Sequence, residues 1–414
     1  MTFRQLLALA LIALGSACGE DDGGPDAGAP VDAGPLPDAG SADTGSDGGV
    51  DAGEDAGPGD LGFRPGCGEA RFPNGFEDFG AAGPWAVGVA SATVAGLSAE
   101  IWYPAVPGSE AGLDPETYDL RRSLPESEIG KVPDEANPVL ECDCYRDLPL
   151  DESWGPYPVI VFVHGTAGFR AQSLPQMTHW ASRGFVVIAA DHPGLWLQDV
   201  LGNACGQGEV PRDEAGDVRR LVGALSELPE PLGFLEGHLD LDRIGMAGHS
   251  AGGGAISGMG DLARVLVPLA SRGVEGEGAT LLESTLIMGG TNDRVVSPSQ
   301  QEAGFRGSPS PKRLVLLEGA GHLAFSVFCA LENDDGQNIV EAAGEAGVCG
   351  LGLASLLFDC NPSYLEDEIA WRVVDFATAA AFEAGLQCRD DAEAALSGLQ
   401  DRFPEEVGRY DEER

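Results

Sequence analysis

The chain is 414 residues long and 43% hydrophobic, enough for one large domain or two small ones. Against 24 Lys and Arg stand 67 Asp and Glu, a formal net charge of −43. That balance excludes recognition of nucleic acid, or of anionic lipid head groups, through a basic surface.

Residues 1–18, MTFRQLLALALIALGSAC, carry one basic residue, Arg4, then an apolar run and small residues before Cys18. The pattern predicts a secretory signal, too short and wrongly flanked for a spanning helix. LGSAC resembles the lipobox of bacterial lipoproteins. That implies acylation of Cys18 and a lipid-anchored protein of the bacterial cell envelope, at the outer membrane or the cell surface. Gly15 stands where that box usually has leucine, so a plain cut after Ala17 and a secreted product is the alternative. Residues 19–62 repeat Asp-Ala-Gly from Asp26, Asp32, Asp38, Asp51 and Asp55. Gly, Pro and Asp bury no core and like charges repel, so this stretch is expected to be a disordered acidic linker. No part of it has EF-hand spacing with a closing glutamate, which argues against a calcium site.

Nine cysteines are present. Setting Cys18 aside, Cys67, Cys142, Cys144, Cys205, Cys329, Cys349, Cys360 and Cys388 make an even set, which in an exported chain predicts disulfides. None forms a CxxC pair, and Cys142 and Cys144 lack a partner half-site, so no metal centre is expected. Spacing does not fix the connectivity.

Residues 63–390 read as the folded body. AVGVASATVAG and AEIWYP are strand signals, and residues 105–156 are a polar, Pro-rich insertion. YPVIVFVHG and FVVIAAD are continuous apolar runs, as expected of strands buried on both faces. SLPQMTHWASRG between them has helical spacing and ends at Gly184. PRDEAGDVRRLVGALSEL is an amphipathic helix, RIGMAGHS the next strand, and AGGGAISGMG the start of a helix. RVLVPLA, STLIMGG and KRLVLLEG are further strands, and YLEDEIAWRVVDFATAAAFEAG is a long helix. Alternating buried strands and helices predict an α/β fold, a mostly parallel central sheet with helices on both faces. Residues 391–414 are acidic and are expected to be a loosely held tail.

The chemistry gathers at strand ends. Ser250 lies in GHSAGG between a strand and a helix, where flanking glycines permit a sharp turn and leave the hydroxyl clear. The bland alternative is a glycine-rich packing turn. A serine needs a base, and His322 in GAGHLAF follows the strand KRLVLLEG. The base needs a carboxylate. Asp293 in GGTNDRVVSP follows the preceding strand, although an Asx turn or helix cap would use the same residue. Asp191 also ends a strand but precedes Ser250. Two backbone donors for an oxyanion are expected at Ala251, after the nucleophile, and at Thr166, in the HGTAG loop after VIVFV. The order Ser250, Asp293, His322 is that of α/β-hydrolases.

Taken in order, WYP, FVHGTAGFR, ADHPG, GHSAGGG, GTNDRVVSP and GAGHLAF resemble the platelet-activating-factor acetylhydrolase and dienelactone-hydrolase-like branch of the α/β-hydrolases, over about residues 85–330. GHSAGGG is also similar to polyester-degrading cutinase-like enzymes. The resemblance implies a cofactor-free, metal-free serine esterase with Ser250 as nucleophile, Asp293 as acid, His322 as base and Thr166 as an oxyanion donor. Serine in place of cysteine as nucleophile argues against dienelactone itself as substrate. The insertion at 105–156 and the cysteine-rich segment at 329–388 depart from the family pattern. The expected activity is hydrolysis of small-molecule, lipid or polymer esters with short or medium acyl groups, and membrane contact only through an anchor at Cys18. A catalytically silent surface protein on the same scaffold and a serine peptidase are the rivals. Only about a dozen residues join RVLVPLA to the next strand, too few for a cap there, so the site is expected to be open, with the insertion at its rim.

Overall fold

The apolar runs pair into one ten-stranded sheet. The structure, a computed structural model, describes residues 62–63, 70–73, 78–351 and 358–414. The expected signal peptide, Cys18, Cys67 and the linker up to residue 61 lie outside them. In chain order the strands are β1 (Ala86–Val94), β2 (Leu97–Ala105), β3 (Tyr145–Arg146), β4 (Tyr157–Val163), β5 (Val186–Ala190), β6 (Leu239–His249), β7 (Val265–Leu269), β8 (Ser284–Gly290), β9 (Lys312–Leu317) and β10 (Val407–Glu413). Their order across the sheet is β10-β9-β8-β7-β6-β4-β5-β2-β1-β3. From β5 to β9 every pairing is parallel, and β2 against β5, β1 against β2 and β10 against β9 are antiparallel. This is the α/β-hydrolase fold.

Both faces are covered. In β4, Ile160 and Phe162 enter one core with Met177 and Trp180 of α1 (Leu174–Ser182) and Val373 and Phe382 of the long helix Asp367–Leu386. Val159, Val161 and Val163 enter the other, with Val218 and Leu221 of the helix Glu214–Ala224 and Ile256 of the helix Ala251–Ile256. The period-2 alternation of side chains converts one unbroken apolar run into two cores.

The chain runs from β4 to β5 on one side, then returns to place β6 on the other side of β4. Loops leaving the carboxyl ends of β4 and β6 therefore part in opposite directions and leave a crevice between them. Gly248 of β6 lies opposite Val163 of β4, so the turn at Ser250 and the loop His164–Gly168 begin at the same level.

Two further regions are more ordered than their composition implies. The insertion 105–156 holds two short paired strands, Thr117–Asp119 and Val139–Glu141, and buries Leu120, Leu140, Cys142 and Cys144 in the core. Its Leu124 and Val132 also pack with Ala167 of the β4 loop, Leu197 and Leu201 of a helix at Leu197–Ala204, and Ala343 and Val348 of a helical segment near Ile339–Glu345. Disulfides Cys142–Cys144, Cys205–Cys349 and Cys329–Cys360 form, and Cys388 is also disulfide-bonded. Cys205–Cys349 ties the helix Leu197–Ala204 to the segment after Ile339–Glu345.

The second region corrects an expectation. Residues 391–414 are not a loose tail. Helices Asp390–Ser397 and Leu399–Arg402 bury Leu396 and Leu399, and β10 closes the edge of the sheet. The reason is charge complementarity. β9 carries Lys312 and Arg313, each nearly buried, and Glu413, Glu412 and Glu393 supply their counter-ions. An acidic segment that looks solvated in isolation is the cover for two cations on an otherwise apolar strand.

Removing residues 403–414 exposes the fully buried β9 as a hydrophobic edge. The truncated protein is expected to melt earlier and to aggregate at concentrations where the whole chain stays monodisperse, as read by thermal melts and light scattering. Equal solubility and melting would show that β10 contributes nothing to the edge.

Candidate active site

Ser250 sits between β6 and the helix Ala251–Ile256 with φ 54° and ψ −117°, a conformation L-residues rarely adopt. Its neighbours hold it there. The Ser250 N–H donates to Leu269 O of β7 at 2.8 Å, and its carbonyl accepts from Ser271 Oγ at 2.8 Å and from the Gly254 N–H at 3.2 Å. The glycines are steric requirements. A Cβ on Gly252 would lie 2.1 Å from Val163 O of β4, and one on Gly248 would lie 2.4 Å from Gly252 O.

The structure brings Ser250, His322 and Asp293 together. Ser250 Oγ lies 2.9 Å from His322 Nε2, and His322 Nδ1 lies 2.9 Å from Asp293 Oδ2. All three residues are largely buried; Ser250 keeps 9% of its surface. Asp293 ends the turn after β8. Its Oδ1 accepts the N–H groups of Val295 and Val296 at 2.8 and 2.9 Å, and its Oδ2 accepts from Gln301 Nε2 at 3.2 Å. The Asx turn and the carboxylate partner, alternatives in the sequence, are one arrangement. Asp191 is committed elsewhere, in an ion pair with Arg170 whose N–H it also accepts at 2.8 Å.

The loop after β4 is fixed from several sides. The Gly165 N–H donates to Gln172 Oε1 at 3.1 Å, the Ala167 N–H to Leu195 O at 2.8 Å, and the Gly168 N–H to Gly165 O at 2.9 Å. His164 Nε2 accepts the His192 N–H at 3.0 Å, so its proton sits on Nδ1, 2.9 Å from Gly165 O. Burial and the neighbouring His192 push the His164 imidazolium down to a pKa of about 3, which keeps the ring neutral. The N–H groups of Thr166 and Ala251 make no hydrogen bond among the described residues, while the amides around Thr166 are satisfied. A Cβ on Gly165 would lie 3.2 Å from Ser250 Cβ, so the loop abuts the elbow.

Sequence reasoning missed three buried side chains that support this geometry. Gln172 anchors the loop, Gln301 steadies Asp293, and His249 Nε2 lies 3.0 Å from the carbonyl oxygen of His322. The signal for Gln301 is Gly289, where a Cβ would collide with its amide. No group of three or more His, Cys, Asp or Glu with metal-binding geometry occurs among the described residues.

A strained serine at the carboxyl end of a central strand, hydrogen-bonded to a histidine and through it to a buried carboxylate, has the geometry of the elbow found in α/β-hydrolases. A family model described as platelet-activating factor acetylhydrolase, isoform II, matches residues 131–194. That span runs from the insertion through β4, the His164–Gly168 loop and α1 to the end of β5. It supports the resemblance to the platelet-activating-factor acetylhydrolase-like branch of the α/β-hydrolases, and hydrolysis, with an ester as the bond cleaved, is the class of activity it points to. A comparison with curated proteins finds no match.

The clash at Gly252 involves backbone of a buried strand, which has no rotamer to escape into. Gly252→Ala is expected to cost about 3 kcal/mol or more of folding stability, at the upper end for overpacking, in urea unfolding. Gly254→Ala, where a Cβ meets nothing within 4 Å, is expected to be neutral or stabilising.

Proposed function

We propose that the protein is an exported serine esterase that cleaves carboxylic esters through an acyl-enzyme. The single observation that carries this reading is the unbroken line from Asp293 through His322 to Ser250 Oγ. Asp293 accepts the Nδ1 proton of His322, leaving a lone pair on Nε2 to receive the serine proton. As Ser250 Oγ attacks the ester carbonyl, that proton moves to His322. The free N–H groups of Thr166 and Ala251 receive the developing oxyanion. His322 then returns the proton to the departing alcohol. Water, deprotonated by His322, releases the acid and restores the serine.

Export is supported by the signal pattern of residues 1–18 and by disulfides of the kind that persist in oxidising compartments. Lipid on Cys18 is the form of attachment we favour, since small residues precede it as a lipobox requires. A lipidated Cys18 as N-terminus in the intact mass supports this; an unmodified Cys18 there means a plain secretory cut.

Ser250→Ala and His322→Ala are each expected to lower kcat by roughly 10⁴–10⁶, because triad members act as a unit. Asp293→Asn is expected to cost less, about 10²–10⁴. All three should keep the wild-type melting temperature within about 3 °C. A fluorophosphonate probe should label Ser250 in the wild type and not in Ser250→Ala. Turnover of short esters by Ser250→Ala at the wild-type rate would sink the mechanism.

The substrate reading is a short or medium acyl ester. β7 ends at Leu269 and β8 begins at Ser284, leaving no room for a cap between them. The segments that flank the site instead come from 120–132, 197–201 and 343–348, and Cys205–Cys349 staples two of them together. A stapled flank cannot act as a mobile lid, so no interfacial activation is expected. Tributyrin hydrolysis measured across its solubility limit tests this. A sharp rise at the limit, or a preference for long acyl chains, would mean that the flank opens.

A further inference from the structure

His249 precedes the nucleophile, and the esterase mechanism above gives it no task. Its ring is buried at 3% exposure. Three parts of the site converge on it. Its own backbone forms the last residue of β6 before the elbow, paired beside Leu269. Its Nε2 lies 3.0 Å from the carbonyl oxygen of His322, the residue that follows Gly321 in the loop after β9. Its Nδ1 faces Gly165, so closely that a Cβ there would lie 2.7 Å away. The two imidazoles pack at 4.9 Å between ring centres, tilted by 46°.

A carbonyl oxygen only accepts, so Nε2 is the protonated nitrogen of His249, and Nδ1 carries the lone pair. Nδ1 has no hydrogen-bond partner among the described residues. Burial, and then the charge of His322, push the His249 imidazolium down to a pKa of about 3. The ring is therefore a fixed neutral donor, in contact with the group that must become positively charged during turnover.

We infer that His249 is a positioning residue that sets the catalytic base: by holding the main-chain carbonyl of His322 it fixes where Nε2 points, and its ring spaces the base loop from the Gly165 loop. The Cβ-free backbone at Gly165 is the other half of the same device, because any side chain there would displace the ring. This inference rests on the serine-esterase reading.

The test compares two variants. His249→Phe keeps a flat ring and removes the donor. His249→Gln returns an amide N–H near the place of Nε2. The expected result for His249→Phe is a fall of about 100-fold in kcat, with KM within about threefold of wild type and a proportionate slowing of fluorophosphonate labelling. His249→Gln should recover at least about tenfold of that loss. A purely structural role would lower the melting temperature without this split or this rescue. Wild-type kcat in His249→Phe, a loss confined to KM, or a folded His249→Gln no better than His249→Phe would each overturn the inference. If His249→Phe does not fold, nitrogen NMR of the histidine-labelled wild-type protein decides. A neutral Nε2–H tautomer at His249 is expected, and the Nδ1–H tautomer would overturn it. The two layers separate at the wild type: failure of the probe to label Ser250 removes the esterase reading itself, whereas labelling that His249→Phe leaves unchanged removes only the role of His249.

Discussion

The approach of Gly252 to the carbonyl of Val163 is the constraint on which the site depends. β4 and β6 are neighbours, yet the chain leaves them toward opposite edges of the sheet. Their carboxyl-terminal loops therefore diverge, and the turn at Ser250 can be sharp only if the helix after it starts against the end of β4. No side chain fits there, which is why glycines surround the serine. The positive φ of Ser250 is the conformational cost of that turn, and hydrogen bonds from Ser271 and to Leu269 hold it. The same closeness brings the loop after β4, with Thr166 in it, against the elbow that Ala251 follows. Sheet topology, elbow and amide donors thus share one cause.

Electrostatics then sorts the buried titratable groups by how they are satisfied. Asp293 is buried as an acceptor with four donors around it: Val295, Val296, Gln301 and His322. Both oxygens of this buried carboxylate are thereby satisfied without water. His164 and His249 are buried without any carboxylate contact and stay neutral. One imidazole faces a carboxylate and a hydroxyl, while two others are reduced to single-tautomer donors that fix loops. The difference lies wholly in partners, since residue type and depth are alike.

What the sequence revealed and what it hid divide along the range of the interactions. Ser250, Asp293 and His322 were legible because each sits in a short motif after a recognisable strand and their order along the chain is informative. The sheet was legible because strands buried on both faces read as unbroken apolar runs. The closing strand Val407–Glu413 was not, because its acidic residues make sense only opposite Lys312 and Arg313, far away in sequence. The pairing of Cys205 with Cys349 spans a sequence separation of 144 and has no local signature. Gln172, Gln301 and His249 were also invisible. Gln172 and Gln301 act only seven and eight residues away, on Gly165 and Asp293, but through turns that no hydrophobic period marks, and His249 acts on the backbone of His322, 73 residues on.

α/β-hydrolases with a mobile cap can bind by closing, so the cost of ordering the cap comes out of the binding energy. Here the surroundings come from three separated segments, packed through Leu124, Leu201 and Val348 and tied by Cys205–Cys349. This wall also includes Ala167 of the loop that carries the Thr166 N–H, so wall and loop are packed together. On the esterase reading proposed above, discrimination among substrates would rest on fixed shape rather than on closure, with Leu124 and Val132 of the insertion at 105–156 supplying part of that shape.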